Sequence, residues 1–94
     1  MAKLDSLLHS ELRLAIMSLL LGVVEVDFVH LKEKCEATSG NLSVQLDKLE
    51  KADYITIRKE FVGKKPRTIC AITPTGKKAF EAYVVEIRKY LHLN

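Results

Sequence analysis

The chain has 94 residues, 48% apolar and 29% charged, with a formal net charge of +3 from 15 Lys and Arg against 12 Asp and Glu. One small globular domain is expected, with no room in this length for a separate ligand-binding module. Three Phe, three Tyr and no Trp leave the core to Leu, Ile and Val, and a core of that size makes self-association an expectation.

An excess of three charges does not by itself indicate nucleic acid, so position decides. Residues 1–37 carry 4 basic and 6 acidic side chains, 38–53 carry 2 and 3, 54–73 carry 5 and 1, and 74–94 carry 4 and 2. The positive charge is concentrated in one short stretch. Cys35 and Cys70 have no second pair, which excludes a disulfide scaffold or a C-x-x-C zinc knuckle and fits reduced thiols in a cytoplasmic protein. The apolar run Leu14 to Val24 is 11 residues long and contains Ser18 and Gly22. It is too short to span a bilayer and lacks the flanks of a signal peptide.

Asp5 caps a short first helix holding Leu7 and Leu8, and Ser10 caps a longer one running to about Leu21. In the longer helix Leu12, Ala15, Ile16, Leu19 and Leu20 form the core-facing stripe, with Leu14 and Leu21 opposite. Leu7, Leu14 and Leu21 are seven apart. They make either a second apolar seam, with Leu4, for a partner chain, or a surface covered by the first helix folding back.

Asp27 caps a second helix from Phe28 to about Glu36, with Phe28, Leu31 and Cys35 inward. Thr38-Ser39-Gly40 then breaks the pattern, and Ser39 caps a third helix from Gly40 to about Ala52 whose buried edge is Leu42, Leu46 and Leu49. The period then becomes alternating. Residues 54–62 and 67–73 read as paired strands joined by a protruding loop, Gly63-Lys64-Lys65-Pro66. Thr73-Pro74 starts a last helix to about Leu91, with an apolar stripe of Phe80, Tyr83, Val84, Ile87, Tyr90 and Leu91. That stripe runs longer than the domain's own core needs, so it is expected to form a dimer interface with the N-terminal leucines.

The fold class this order gives is α+β, mainly helical: a winged helix-turn-helix with a two-stranded hairpin wing and a C-terminal dimerisation helix. One domain is expected over 1–94, with the helix-turn-helix at about 27–53, the wing at about 54–73 and the last helix at about 74–92. The chain resembles the small MarR-like and ArsR-like winged-helix transcriptional regulators. The resemblance rests on His9-Ser10-x-Leu12-Arg13, on Gly40-Asn41-Leu42-Ser43-x-x-Leu46-x-Lys48-Leu49-Glu50 and on Tyr54-Ile55. It continues through Gly63-x-x-Pro66-x-Thr68 and Ile72-Thr73-x-x-Gly76. It implies a homodimer on a pseudo-palindromic operator in double-stranded DNA, with the third helix in the major groove and the wing on the flanking backbone or minor groove.

The residues support that reading independently. With its leucine edge buried, the third helix turns Asn41, Ser43, Val44, Asp47, Lys48 and Lys51 outward, with Gln45 at one margin. Asn41 and Gln45 suit adenine, Val44 a thymine methyl, Ser39 and Ser43 phosphates, and Lys48 and Lys51 the backbone. Asp47 must point at a base edge, pair with Lys51 or miss the DNA. Arg58, Lys59, Lys64, Lys65 and Arg67 give the wing a phosphate-attracting field, with an arginine for a narrow minor groove. Uncharged polar residues are also simply what a solvated helix face carries, and lysines also blunt a sheet edge.

No catalytic constellation, phosphate loop or metal-ligand set is present in the sequence, so neither an enzyme nor a cofactor is expected. His30 and Cys35 lie about 140° apart on their helix and do not form a ligand pair. Repression is the expected mode of action. The rival reading is a winged-helix protein–protein module whose wing meets an acidic partner.

Overall fold

The structure, a computed structural model, describes residues 4–92. The limits expected for the domain, 1 and 94, lie outside the described residues. The elements are α1(Glu11–Leu21), β1(Val26–Asp27), α2(Phe28–Lys34), α3(Ser39–Lys51), β2(Ile55–Val62), β3(Lys65–Ile72) and α4(Pro74–Tyr90). Among the described residues, four helices and one antiparallel sheet in the order β1-β3-β2 make a winged helix.

Caps set the helix starts. Ser10 accepts from the Arg13 N–H at 3.4 Å, Asp27 from His30 at 2.8 Å and Thr73 from Gly76 at 2.9 Å, each at the expected position. For α3 the cap is Thr38, which accepts from the Asn41 N–H at 3.1 Å, so Ser39 is the first helical residue rather than the cap. The break before α3 also lies earlier than Thr38-Ser39-Gly40. Glu36 adopts a left-handed φ of 52°, its N–H donates to the Glu33 carbonyl at 3.2 Å, and the Ala37 N–H reaches the Lys32 carbonyl at 3.1 Å. This is a Schellman ending built on glutamate in place of glycine. Asp53, φ 62°, ends α3 the same way, with its N–H on Glu50 and that of Tyr54 on Leu49.

Three further expectations are corrected. The segment around Asp5 forms a hydrogen-bonded turn, with the Asp5 carboxylate accepting from Leu7 at 2.9 Å, and not a helix. The sheet has three strands instead of two, because Val26 and Asp27 pair with Cys70 and Ile69; a two-residue strand is too short to show alternation. The hairpin loop is tight: Val62 pairs with Lys65 and Phe61 with Pro66, leaving Gly63-Lys64 as the turn. Gly63 has φ 63°, as the first residue of a type II′ turn requires. The closing pair of such a hairpin is hydrogen-bonded and the next is not, so the Pro66 nitrogen faces away from β2. β1 does not extend that far, and no ladder donor is missing there.

The core gathers Leu8, Ile16, Met17, Leu20, Leu31, Leu42, Leu46, Leu49, Ile55, Cys70 and Tyr83. α3 buries the leucine edge read from its periodicity. On α1 the buried arc is rotated, because Leu8 and the N-terminal turn cover one side: Met17 is inside, and Leu19 is exposed. At the other end Gly76 sits so close to β2 that a Cβ there would lie 2.1 Å from the Tyr54 carbonyl oxygen. Thr73 locks the same junction, its hydroxyl donating to the Asp53 carbonyl at 2.6 Å.

Candidate nucleic-acid interface

On α3, Ser39, Asn41, Ser43, Val44, Asp47, Lys48 and Lys51 are exposed and Gln45 is half-buried. Val44 is 50% exposed, an uncovered methyl surface in the middle of a polar face. The Thr38 cap and the Asn41 side chain lie at the N-terminal end, where the first N–H groups of α3 point outward. Asp47 forms no ion pair with Lys51 among the described residues. It lines a groove together with Ser43, Lys59 and Thr68, over a floor of Phe28, Leu46 and Ile57.

The register of the hairpin sorts the wing charges into two sets. Ile55, Ile57, Lys59 and Phe61 share the face of the sheet turned toward α3, opposite Ile72, Cys70, Thr68 and Pro66. Arg58, Glu60, Lys65 and Arg67 lie on the other face. There Arg58 makes a two-pronged pair with Glu25, at 2.6 and 3.0 Å, and Arg67 meets Asp27 at 3.0 Å. Glu60 stands 3.6 Å from Arg58 and 4.0 Å from Arg67. The arginines expected to hold phosphate are thus satisfied by acids of β2 and of the β1 segment. Lys59, Lys64 and Lys65 form no ion pair among the described residues. The tip also carries an aromatic side chain, Phe61, 74% exposed.

These pairs perturb the acids. The His30 backbone N–H, then the His30 ring and Arg67, hold the Asp27 carboxyl down at about 2. Arg58 holds Glu25 below the ordinary carboxylate range. Burial pushes the Cys70 thiol up to about 11, and burial with the bond to Asp5 pushes the Tyr54 hydroxyl up to about 12. Both groups stay protonated at neutral pH.

Behind α3 lies an arginine that the sequence offered only as part of the resemblance and did not place at the interface. Arg13 of α1 donates from Nε to the Leu7 carbonyl and from Nη1 to Gln45 Oε1, and Gln45 Nε2 donates to Asn41 Oδ1 at 2.9 Å. Arg13 and Gln45 are 32 positions apart, and no local pattern links them.

Of the residues expected at a subunit interface, Tyr83 is corrected. It is 5% exposed, inside the domain's own core, with its hydroxyl 2.9 Å from His9 Nδ1. Leu4, Leu7, Leu14, Phe80 and Ile87 are partly buried against that core, and Val84 is half-buried. Leu21, Tyr90 and Leu91 are exposed, as is Val85 of α4. Among the described residues no helix is long and apolar enough to cross a membrane.

Residues 12–91 match the family described as winged helix DNA-binding domain. An uncharacterized protein of Methanocaldococcus jannaschii is 38% identical over 79 residues, covering 84% of this chain and 86% of that protein. The fold is shared with a transcriptional regulator homologue from Pyrococcus horikoshii, at a TM-score of 0.86 and 24% identity over 94% of this chain and 87% of that one. It is shared also with a MarR-family transcriptional regulator from Silicibacter pomeroyi, at a TM-score of 0.69 and 18% identity over 89% and 56%.

Proposed function

The chain belongs to the winged helix DNA-binding domain family, and on that premise we propose that it is a sequence-specific transcriptional regulator that binds a pseudo-palindromic operator as a homodimer. The observation that carries this reading is the face of α3. Asn41, Ser43, Val44, Lys48 and Lys51 stand exposed beside a hairpin whose lysines are not neutralised by the protein's own acids. α3 enters the major groove with its N-terminal residues at base edges, and Ser39, Lys48 and Lys51 hold the backbone.

Lys59, Lys64 and Lys65 supply the wing's phosphate contacts. Arg58 and Arg67 anchor the wing to the β1 segment and do not meet DNA. The subunits associate through the apolar surface left on Leu21, Val84, Val85, Tyr90 and Leu91, with Leu4, Leu7, Leu14, Phe80 and Ile87 beneath it. The protein acts in the cytoplasm, as a repressor that occupies promoter DNA.

Selection of bound sequences from random duplexes tests this. A palindrome with half-sites one helical turn apart, roughly 34 Å, is expected, with specificity over random duplex of about 10³-fold or more. Recovery of no enriched sequence would overturn the operator reading and leave the fold serving protein contact.

A further inference from the structure

Asn41 and Gln45 stand one turn apart on the reading face of α3, and their carboxamides do not orient independently. Arg13 approaches Gln45 from the protein side, and a guanidinium carries only donors. Gln45 must therefore turn its oxygen inward, as it does toward Arg13 Nη1. The nitrogen is then the end that reaches Asn41, so the group it meets must be an oxygen, as Gln45 Nε2 to Asn41 Oδ1 at 2.9 Å shows. Flipping either amide would set N–H against N–H. Arg13 is itself fixed, because its Nε is held by the Leu7 carbonyl at the N-terminal turn. Asn41, which is exposed, is left with its oxygen engaged along the helix and its Nδ2 hydrogens as the outward group.

We propose that this relay makes Asn41 a hydrogen-bond donor to DNA, so that Arg13, a half-buried positioning residue on a different helix, sets the base preference beneath Asn41. The inference rests on the operator-binding reading above. An unconstrained asparagine pairs with adenine by accepting from N6 while donating to N7. With its oxygen turned along the helix to Gln45 and its Nδ2 hydrogens outward, Asn41 favours an edge made of acceptors, the N7 and O6 of guanine.

Two experiments test it. The first needs no DNA: in ¹⁵N-labelled protein, Arg13→Ala is expected to move the side-chain amide resonances of both Gln45 and Asn41, although Arg13 contacts only the former. Unmoved Asn41 resonances would overturn the relay. The second compares sequences selected by variants. Wild type is expected to return guanine at the position whose information is lost in Asn41→Ala. Gln45→Glu keeps an acceptor for Arg13, and with it the fold, but has no N–H for Asn41. This variant and Arg13→Ala should raise the adenine-to-guanine ratio there by about tenfold, within the range of one base-edge contact, and Arg13→Ala, which removes no DNA-facing side chain, should leave the other positions unchanged. Adenine in wild type, or an unchanged ratio in Gln45→Glu, would overturn the inference while leaving operator binding intact. The absence of any enriched site would remove the operator reading instead, with the resonance shifts still reporting the relay.

Discussion

Asp27 does three things at once: it caps α2, pairs with β3 and holds Arg67 at 3.0 Å. Removing its side chain in Asp27→Ala is expected to lower stability by about 1–2 kcal/mol, the cost of a lost cap, measured by urea denaturation. Its pH signature follows from the lowered pKa, about 2 against an ordinary 3.8. Above 3.8 the carboxylate is charged whether folded or not, and the native advantage is complete. As pH falls toward 2 the unfolded chain takes up the proton first, and that advantage disappears. Melting temperature should therefore fall between pH 4 and pH 2, and Asp27→Asn, which can still cap but cannot titrate, should flatten that part of the curve. The cap was readable from the sequence, since Asp before Phe28 is a local signal. Arg67 as its partner was not, being 40 positions away.

Among the elements, the turn between α2 and α3 carries the most telling departure from pattern. A glutamate at φ 52° occupies a site where glycine has no steric penalty. Glu36→Gly is expected to stabilise the domain by about 0.5–1 kcal/mol, seen as a higher denaturation midpoint with an unchanged slope. Gly76 is the opposite case, because its hydrogen faces the Tyr54 carbonyl. Gly76→Ala must push α4 off the start of β2 and should cost about 2 kcal/mol or more, checked by thermal unfolding. The existence of α1 to α4, three of their four caps and the leucine edge of α3 were legible because each depends on neighbours within a turn, whereas the helix expected at Asp5 is a turn. The rotation of α1, the strand at Val26-Asp27 and the tight hairpin were not, since each is decided by what packs or pairs from elsewhere.

At the scale of the molecule, the wing's charge divides in two. Lys64→Ala with Lys65→Ala is expected to weaken binding to all duplexes and to reduce the slope of log affinity against log salt by about 0.9 per lost phosphate contact. Arg58→Ala with Arg67→Ala should leave that slope nearly unchanged, because those guanidiniums already face Glu25, Glu60 and Asp27. Equal slope losses in the two variants would contradict the division. For the dimer, Tyr90→Glu with Leu91→Glu places charge on exposed apolar surface of the α4 end. Sedimentation should then show monomers with unaltered circular dichroism, where wild type is expected to sediment as a dimer.

The sequence by itself determined the order of α1 to α4 and the hairpin, most of their boundaries, the outward face of α3 and the concentration of +4 within residues 54–73. Periodicity, capping and turn chemistry act over a few residues, and a linear reading captures them. The tertiary structure alone decided which charges remain available and which way the amides point. Arg58 meets Glu25 across 33 positions and Arg13 meets Gln45 across 32. A hydrogen bond or ion pair is set by distance in space, and only the folded chain brings those groups within reach of each other.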